Sequence, residues 1–283
     1  MNALEIHGLT KRYPDFTLGP LDLTIPGGTI CGLVGENGAG KSTTMKLILG
    51  INEPDGGTIR VFGKENQGET FTRTKAELGV VLDDPGIPAC LTTAQVGKVM
   101  VRVYPNWDAE IYAELCRKFA LPTKKRFGDY SRGMKMKQGV AIALSHHPKL
   151  LLLDEATSGL DPVVRDELID ILLDFARDED HAILISSHIV SDLEKLCDTI
   201  AFLHKGQLLL CEDKDALRDE YALWHGTAEQ MEELDPTVIL SSRTTPYGAE
   251  ALVRREGMPG GSPLSPVSIE ELFVQMVKGE KRR

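Results

Sequence analysis

The sequence predicts an α/β domain built on a largely parallel sheet. Short runs of aliphatic and β-branched residues alternate with longer segments of helical period, which is the pattern of strands joined by helices. The runs at 150–153 and 182–185 are apolar at every position, as expected of inner strands covered by helices on both faces. In order, the predicted strands are 29–34, 58–62, 79–82, 150–153, 182–186 and 199–203.

Two regions depart from this alternation. Between about residues 91 and 147, apolar residues recur at i, i+3, i+4 and i+7 from Tyr112, which predicts a helical subdomain inserted in the sheet. Beyond Tyr221 the signals weaken to one strand at 238–241, a Pro- and Gly-rich loop at 259–266 and a final amphipathic helix at 269–277.

Composition restricts the classes of function. Acidic residues outnumber basic ones 42 to 32, for a net charge of −10, so no basic surface for nucleic acid is expected over the chain as a whole. The aliphatic runs are far shorter than the roughly 20 residues of a membrane span, and no secretory signal is recognisable. Five scattered cysteines without a CxxC pair favour reduced thiols. We therefore expect a cytosolic chain that does not cross a membrane by itself.

The strongest motif, GENGAGKS, follows the predicted strand at 29–34 and opens a helix. It fits G-x-x-x-x-G-K-[ST], whose glycines let backbone N–H groups curl around phosphate oxygens at a helix N-terminus. Lys41 would reach the β and γ phosphates, and the Ser42 hydroxyl would ligate Mg²⁺. A glycine-rich turn that matches by chance is the alternative, which the flanking strand and helix disfavour. The predicted nucleotide-binding residues here are Gly35, Asn37, Gly38, Ala39, Gly40, Lys41, Ser42 and Thr43.

Two carboxylates, Asp154 and Glu155, end the apolar run that begins at Leu150. Open α/β sheets bind ligands at the carboxyl ends of their strands, where these side chains are expected. Asp154 would hold the Mg²⁺ water shell, and Glu155 would polarise the attacking water as general base. A solvated acidic pair that caps the next element is the alternative, but the glycine loop favours the catalytic interpretation.

The chain resembles the nucleotide-binding subunits of ATP-binding cassette (ABC) transporters in four segments that occur in the order of that family. They are GENGAGKST at 35–43, YSRGMKMKQ at 130–138, LLLLDEATSGLDP at 150–162 and ISSH at 185–188. The resemblance covers roughly residues 1–222 and implies a P-loop NTPase, an ABC ATPase core sheet with an inserted helical subdomain at about 91–147. Residues 223–283 would then be a small C-terminal extension.

The resemblance also implies roles for residues outside the glycine loop. Tyr13 takes the place of the aromatic that stacks on adenine, and His188 that of the histidine that contacts the γ phosphate and positions the water. Ser131 and Gly133 lie in the signature segment, which the opposite subunit of a dimer presents to the γ phosphate, and Asp161 lies in the loop that crosses the dimer interface. Taken alone, these residues also fit structural roles, as a core aromatic, a hydrogen-bonding histidine, a helix N-cap and a turn.

Two departures from the family pattern are visible. Arg132 and Met134 replace residues of the common signature, in a manner similar to subunits of drug, antibiotic and peptide exporters. Asp83 stands where the family has a glutamine that senses Mg²⁺ and the attacking water. Because an aspartate could still reach the metal through water, Asp83 joins Ser42 and Asp154 as a predicted metal ligand.

The sequence therefore predicts an ATPase subunit, with Lys41, Glu155 and His188 as its catalytic residues. The resemblance implies that it dimerises around ATP and Mg²⁺, as a homodimer or a heterodimer, and drives a separate transmembrane permease at the cytoplasmic face of the cell membrane. The cargo implied is a drug, an antibiotic or an amphipathic peptide, and the partner would dock near residues 83–88. The alternative is a soluble ABC ATPase that acts on ribosomes or DNA, which the single cassette and the acidic charge disfavour. A regulatory module without turnover is a third interpretation, which the presence of both Asp154 and Glu155 disfavours.

Overall fold

The computed structural model describes residues 1–83, 86–245 and 248–278, and the chain divides into two compact units, Met1–Cys211 and Glu212–Arg283. Of the predicted partner-docking segment at 83–88, residues 84 and 85 lie outside the described residues. The strands from the N-terminus through the unit boundary are β1 (Asn2–Tyr13), β2 (Phe16–Pro26), β3 (Ile30–Val34), β4 (Gly56–Val61), β5 (Lys64–Glu65), β6 (Leu78–Val81), β7 (Leu150–Asp154), β8 (Ala182–Ser187), β9 (Thr199–His204) and β10 (Gln207–Asp213). The helices are α1 (Lys41–Ile48), α2 (Gly68–Thr74), α3 (Thr93–Val103), α4 (Ala109–Lys118), α5 (Arg132–Leu144), α6 (Pro162–Phe175) and α7 (Val190–Leu196).

A six-stranded sheet in the order β10-β9-β3-β8-β7-β6 forms the centre of the first unit. The strands from β9 to β6 pair in parallel, with Cys31 opposite Leu184 and Leu151 opposite Ile183. Every residue of β3, β7 and β8 is buried, which confirms the predicted α/β fold with its apolar inner strands. Because parallel strands end at the same edge of a sheet, the residues that follow β3, β6, β7 and β8 lie near one another.

The second sheet of the first unit is antiparallel, in the order β2-β1-β4-β5. The strand predicted at 58–62 is present as β4, and it belongs to this antiparallel sheet and not to the parallel one, with Ile59 opposite Ile6. The other long strands of this sheet, β1 and β2, pair with each other, and the sequence analysis predicted neither of them. Along β2 buried and exposed residues alternate from Leu21 onward, and such a strand contains no continuous apolar run.

Three helices, α3, α4 and α5, occupy the segment predicted to be helical. Each begins at a side chain that accepts a backbone N–H of the first turn, namely Thr92, Asp108 and Ser131. α5 packs against β6 at Gly79, where a Cβ would stand 2.9 Å from the carbonyl oxygen of Ala143. The close approach at Gly79 fixes the C-terminal part of α5 on the parallel sheet.

The second unit contains α8 (Lys214–Glu220), β11 (Tyr221–Gly226), α9 (Ala228–Glu232), β12 (Ile239–Thr245), β13 (Gly248–Arg254), β14 (Leu264–Ser265) and α10 (Ile269–Lys278). Its strands form one sheet in the order β12-β13-β11-β14, whose core includes the buried side chains of Trp224 and Val253. The strand predicted at 238–241 corresponds to β12, and the predicted final helix is α10.

The boundary between the units differs from the predicted one. The sequence analysis ends the first domain at Ala222, but Tyr221 and Ala222 open β11 and lie opposite Arg254 and Val253 of β13. A boundary at residue 222 would therefore separate Tyr221 and Ala222 from the rest of β11, whereas the structure places the boundary after Cys211, near the end of β10. The helix that directly precedes Tyr221, α8, is already part of the second unit.

Within the described part of the chain, no helix combines the length and the apolar character that crossing a bilayer requires. The longest described helix, α6, has 14 residues, against about 20 for a span.

Candidate active site

The glycine loop connects β3 to α1 and adopts a conformation that requires glycine. Gly38 and Gly40 have φ angles of 81° and 114°, which other residues rarely adopt. A Cβ on Gly40 would stand 2.5 Å from Leu18 Cδ1, and one on Gly35 would stand 2.5 Å from the carbonyl oxygen of Leu203. The N–H of Thr44 donates to the Gly40 carbonyl at 2.9 Å, and the N–H groups of Lys41, Ser42 and Thr43 lie at the start of α1, where a helix leaves its amides available for an anion.

Lys41 places a positive charge at the centre of this loop. Its side chain is 6% exposed, and Nζ donates to the carbonyl oxygens of Gly35 at 2.7 Å and Glu36 at 3.3 Å. The same atom lies 3.4 Å from Oε1 of Glu155. The ammonium group is therefore bound on one side by the loop and on the other by the predicted general base.

The two carboxylates at the end of β7 differ in environment. Asp154 is buried and accepts a hydrogen bond from Ser186 Oγ at 2.5 Å. Glu155 has a φ of 55°, a left-handed conformation that costs a non-glycine residue roughly 1–3 kcal/mol. Its N–H donates to both the carbonyl oxygen and Oγ of Ser186, each at 3.1 Å, and these bonds to β8 stabilise the turn.

Glu155 connects the predicted catalytic residues. Its Oε2 lies 2.5 Å from Nδ1 of His188, which directly follows β8, while its Oε1 faces Lys41. The carboxylate is 14% exposed, whereas the His188 side chain is 50% exposed. A carboxylate held between a lysine and a histidine at the edge of an open cleft is suited to accept a proton from water and to orient that water.

The glycine loop and these side chains line one cleft of about 780 Å³. The predicted site residues that the structure brings together there are Asn37, Gly38, Gly40, Lys41, Ser42, Thr43, Asp83, Glu155 and His188. Gly35, Ala39 and Asp154 adjoin them in the chain and are buried.

Besides Gly35, Ala39 and Asp154, four further predicted site residues lie outside the lining of this cleft. Ser131 caps α5, with Oγ accepting from the N–H of Met134 at 3.3 Å, and Asp161 caps α6, with Oδ1 accepting from the N–H of Val164 at 3.1 Å. A Cβ on Gly133 would stand 3.4 Å from the carbonyl oxygen of Gly159. In a single chain, these three residues therefore have local structural roles.

Tyr13, the fourth of these residues, ends β1 and is 38% exposed, and its hydroxyl accepts a hydrogen bond from Asn52 Nδ2 at 3.1 Å. The aromatic side chain that lines the cleft is Phe16, which lies opposite Tyr13 across the β1–β2 turn. The sequence analysis missed Phe16, although its position three residues after Tyr13 was a usable signal. Asp15, Glu36, Ser158 and Arg132 also line the cleft without having been predicted.

Comparison with known proteins agrees with this geometry. The family model described as ABC transporter matches residues 18–158. A bacitracin transport ATP-binding protein, BcrA of Enterococcus faecalis, is 35% identical over 210 residues, which cover 73% of this chain and 68% of that protein. The chain belongs to the ATP-binding subunits of ABC transporters. It is an ABC ATPase, in which ATP hydrolysis is coupled to transport, and subunits of this family dimerise and work with transmembrane partners.

Two further relatives support the assignment of this ABC ATPase. The lantibiotic transport ATP-binding protein SrtF of Streptococcus pyogenes is 35% identical over 240 residues, which cover 84% of this chain and 97% of SrtF. A solved structure of the ATP-binding subunit of an ABC transporter superimposes with a TM-score of 0.66 at 27% identity, over 76% of this chain and 92% of that one. These findings confirm the predicted family, and they give no support to a role at ribosomes or on DNA.

Proposed function

We propose that this ABC ATPase pairs with a second nucleotide-binding subunit and that each of two ATP molecules binds between the glycine loop of one subunit and the Ser131 segment of the other. The contact of Glu155 with both Lys41 and His188 at the glycine loop carries this proposal. Ser131 and Gly133 lie at the N-terminus of α5, a helix end suited to an anion. Asp161, in the turn before α6, is proposed to act at the interface of the pair. The pair consists of two copies of this chain or of this chain and a similar subunit.

Hydrolysis in such a site depends on positioning and on neutralising charge. Lys41 binds the β and γ phosphates, and Glu155 orients the attacking water and accepts its proton. His188, through Nδ1 at 2.5 Å from Glu155, fixes the carboxylate and contacts the γ phosphate. Each of these three groups already lies at the cleft, so little rearrangement is required when ATP binds.

Mg²⁺ fits the oxygen ligands at this site. The Ser42 hydroxyl lines the cleft, and the Asp154 carboxylate at the end of β7 is held by Ser186. Hydroxyl and carboxylate oxygens are hard ligands of the kind that Mg²⁺ requires. When bound, the ion neutralises charge on the phosphates. Asp83, the third predicted ligand, instead accepts a hydrogen bond from Arg132 in this structure.

The transmembrane partner is proposed to contact the helical segment and the adjoining residues 83–88. Between residues 91 and 147 the chain has ten basic and four acidic residues, whereas the rest has 22 basic and 38 acidic ones. An apolar groove of about 550 Å³ between α3 and α4 includes Val101 and Trp107, with Lys98 and Arg117 among its lining residues. A basic surface with an apolar groove suits an acidic amphipathic segment of a permease close to the anionic cytoplasmic leaflet. We therefore place the complex at the cytoplasmic face of the cell membrane.

The cargo is proposed to be an antibiotic or an amphipathic peptide that is exported. Two relatives, BcrA and SrtF, are named for bacitracin transport and lantibiotic transport, respectively. The YSRGM form of the signature, with Arg132 and Met134, supports the same class of transporter.

The test of the proposed function is ATP hydrolysis by the purified chain as a function of protein concentration, with and without the permease. A composite site predicts a rate that rises more steeply than linearly and is stimulated by the permease. Glu155→Gln should lower kcat by at least about a hundredfold while nucleotide affinity is kept, because the base is lost and the carbonyl oxygen of the amide remains.

The matched control is Glu179→Gln, since Glu179 is exposed and lies outside the lining of the cleft. It should leave the rate unchanged. Undiminished hydrolysis by Glu155→Gln would remove Glu155 from its proposed role, and a rate linear in concentration and insensitive to the permease would contradict the composite site.

A further inference from the structure

Asp83 and Arg132 form an ion pair at the edge of the nucleotide cleft. Arg132 Nη2 donates to Asp83 Oδ1 at 2.6 Å, and both residues line the same 780 Å³ space as Lys41 and Ser42. Asp83 is the departure from the family pattern in the glutamine segment, and Arg132 is one of the two departures in the signature, the other being Met134. Asp83 and Arg132 are therefore in direct contact within one subunit.

The packing of α5 on the parallel sheet explains how these residues meet. Asp83 follows β6, which pairs with β7 so that Val81 lies opposite Leu153, and both strands end at the edge that carries Glu155. α5 packs against β6 at Gly79, where no Cβ could be accommodated. Arg132 is the first residue of α5, so its side chain extends from the helix start toward the end of β6.

The loop before α6 also limits the positions that the side chain of Arg132 can take. A Cβ built on Gly159 would stand 3.3 Å from Arg132 Cδ, and Gly159 has a φ of 73° that favours glycine. The stem of Arg132 therefore passes close to this loop, while its guanidinium bonds Asp83. Since a guanidinium has five N–H donors, one bond to a carboxylate leaves others for a phosphate oxygen.

We infer that Asp83 is a positioning residue that holds Arg132 at the cleft, where Arg132 contributes positive charge to the nucleotide bound by the same chain. Asp83 acts through Arg132 and not as a ligand of Mg²⁺. This inference rests on the proposed nucleotide site. It adds to that site a cation that comes from the signature segment of the same subunit.

A double-mutant cycle on the full chain tests the inference. The affinity for a fluorescent ATP analogue is measured for Asp83→Asn, Arg132→Gln and the double variant, each with Mg²⁺ and with EDTA. Both substituted side chains are more than half exposed, so each single change should weaken binding by about two- to fivefold, and the double variant should be no weaker than either. The loss should be the same with and without Mg²⁺, and Asp83→Glu should retain affinity because it keeps a carboxylate for Arg132.

The matched control is the exposed pair Arg177–Asp174, whose Nη1 and Oδ1 atoms lie 3.1 Å apart outside the cleft lining. Its removal by Arg177→Gln should not change affinity. A loss for Asp83→Asn that occurs only with Mg²⁺, or losses that multiply in the double variant, would overturn the inference.

Lys41→Ala separates the inference from the proposed function. If affinity is lost in Lys41→Ala but unchanged in Asp83→Asn and Arg132→Gln, the nucleotide site stands and the role of the pair is wrong. If Lys41→Ala keeps full affinity, the proposed nucleotide site fails, and with it the inference.

Discussion

At the scale of single residues, Lys41 lies between the glycine loop and Glu155, the proposed general base. Its ammonium has three N–H donors, and among the described residues it has three partners, which are the Gly35 carbonyl at 2.7 Å, the Glu36 carbonyl at 3.3 Å and Glu155 Oε1 at 3.4 Å. A phosphate oxygen that approaches Lys41 must therefore replace one of these partners. Because the contact with Glu155 is the longest of the three, we expect the phosphate to displace Glu155, which then becomes available to the attacking water.

We expect Phe16 rather than Tyr13 to be the aromatic residue that contacts the nucleotide, because Phe16 lines the cleft and Tyr13 does not. Phe16→Ala should weaken nucleotide affinity by about fivefold or more, since stacking of an aromatic ring on a base contributes about 1–3 kcal/mol. Tyr13→Ala should change it less, because the Tyr13 hydroxyl bonds Asn52 and the ring lies outside the cleft lining. The measurement is titration with a fluorescent ATP analogue, and Phe16→Tyr, which keeps the ring, is the control. The reverse order of effects would restore the assignment of the adenine contact to Tyr13.

Site residues that lie close together in the sequence could be predicted from it, whereas contacts between distant segments of the chain could not. The glycine loop was found because its function depends on consecutive residues, Gly35 to Thr43, and Glu155 because it adjoins Asp154 after an apolar strand. The ion pair of Asp83 with Arg132 joins residues 49 positions apart, and its formation depends on how α5 packs on β6. No local pattern encodes that packing.

At the scale of secondary-structure elements, a buried polar network joins the three helices of the helical segment. Tyr112 on α4 donates to the Thr93 carbonyl at 3.0 Å, and Gln138 on α5 donates to the Tyr112 hydroxyl. Thr93 Oγ1 also lies 2.5 Å from the hydroxyl of Tyr130, the residue before the Ser131 cap. Because each buried hydroxyl has partners, the network specifies one arrangement of the helices and thereby positions the start of α5.

The ends of this segment are joined by two loops that contain a stacked pair of rings. Tyr104, after α3, and His146, after α5, have parallel rings with centroids 4.0 Å apart, and the N–H of Asp108 donates to the Ser145 carbonyl at 2.7 Å. His146 is fully buried, and burial lowers the pKa of its imidazole to about 4. Its neutral form is thus the one that the folded protein accommodates.

Stability should therefore fall with acidification because of His146. Between pH 6.5 and about 4 the unfolded chain protonates this residue and the folded chain does not, so the free energy of unfolding decreases as pH falls through that window. At pH 4.5 the loss should be about 2–3 kcal/mol relative to pH 7, beyond the effect of other groups. Urea denaturation of His146→Gln should show a smaller loss over this interval than the unsubstituted chain.

His147→Gln is the matched control for this pH effect, since His147 is the adjacent histidine and its side chain is 57% exposed. It should keep the pH dependence of the unsubstituted chain. An equal loss in all three proteins would show that His146 is not the group responsible.

Strands could be predicted from the sequence where every residue of the strand is buried. β7 and β8 are buried on both faces and read as unbroken apolar runs, whereas β1 and β2 include many exposed residues and lack such a run. β4 has a β-branched pattern at 58–62, but the sequence of a strand does not state which sheet it joins. β4 pairs with β1, whose residues lie about 50 positions earlier in the chain, so this pairing depends on tertiary structure and not on the local sequence.

At the scale of the whole molecule, the nucleotide cleft belongs to one unit. All of its lining residues, from Asp15 to His188, lie within Met1–Cys211. The sheet that supports the cleft ends with β10, whose last residue, Asp213, also caps α8 through its side chain. The first unit thus has its own core and its own site, as an independently folding domain does.

A chain cut after Asp213 should therefore fold and bind nucleotide with an affinity within about twofold of the full chain, because it keeps β10 whole and every lining residue.

A chain cut after Ala222 tests the boundary that the sequence predicted. It would add Leu217, Tyr221 and Ala222, which are buried in the full chain, without the β13 residues that pair with β11. Such an unpaired apolar strand favours aggregation, so the longer fragment should be less soluble and should give a lower yield of monomer on size-exclusion chromatography. Equal solubility of the two fragments would contradict this placement of the boundary. Loss of nucleotide binding in a folded fragment 1–213 would show that the second unit contributes to the site.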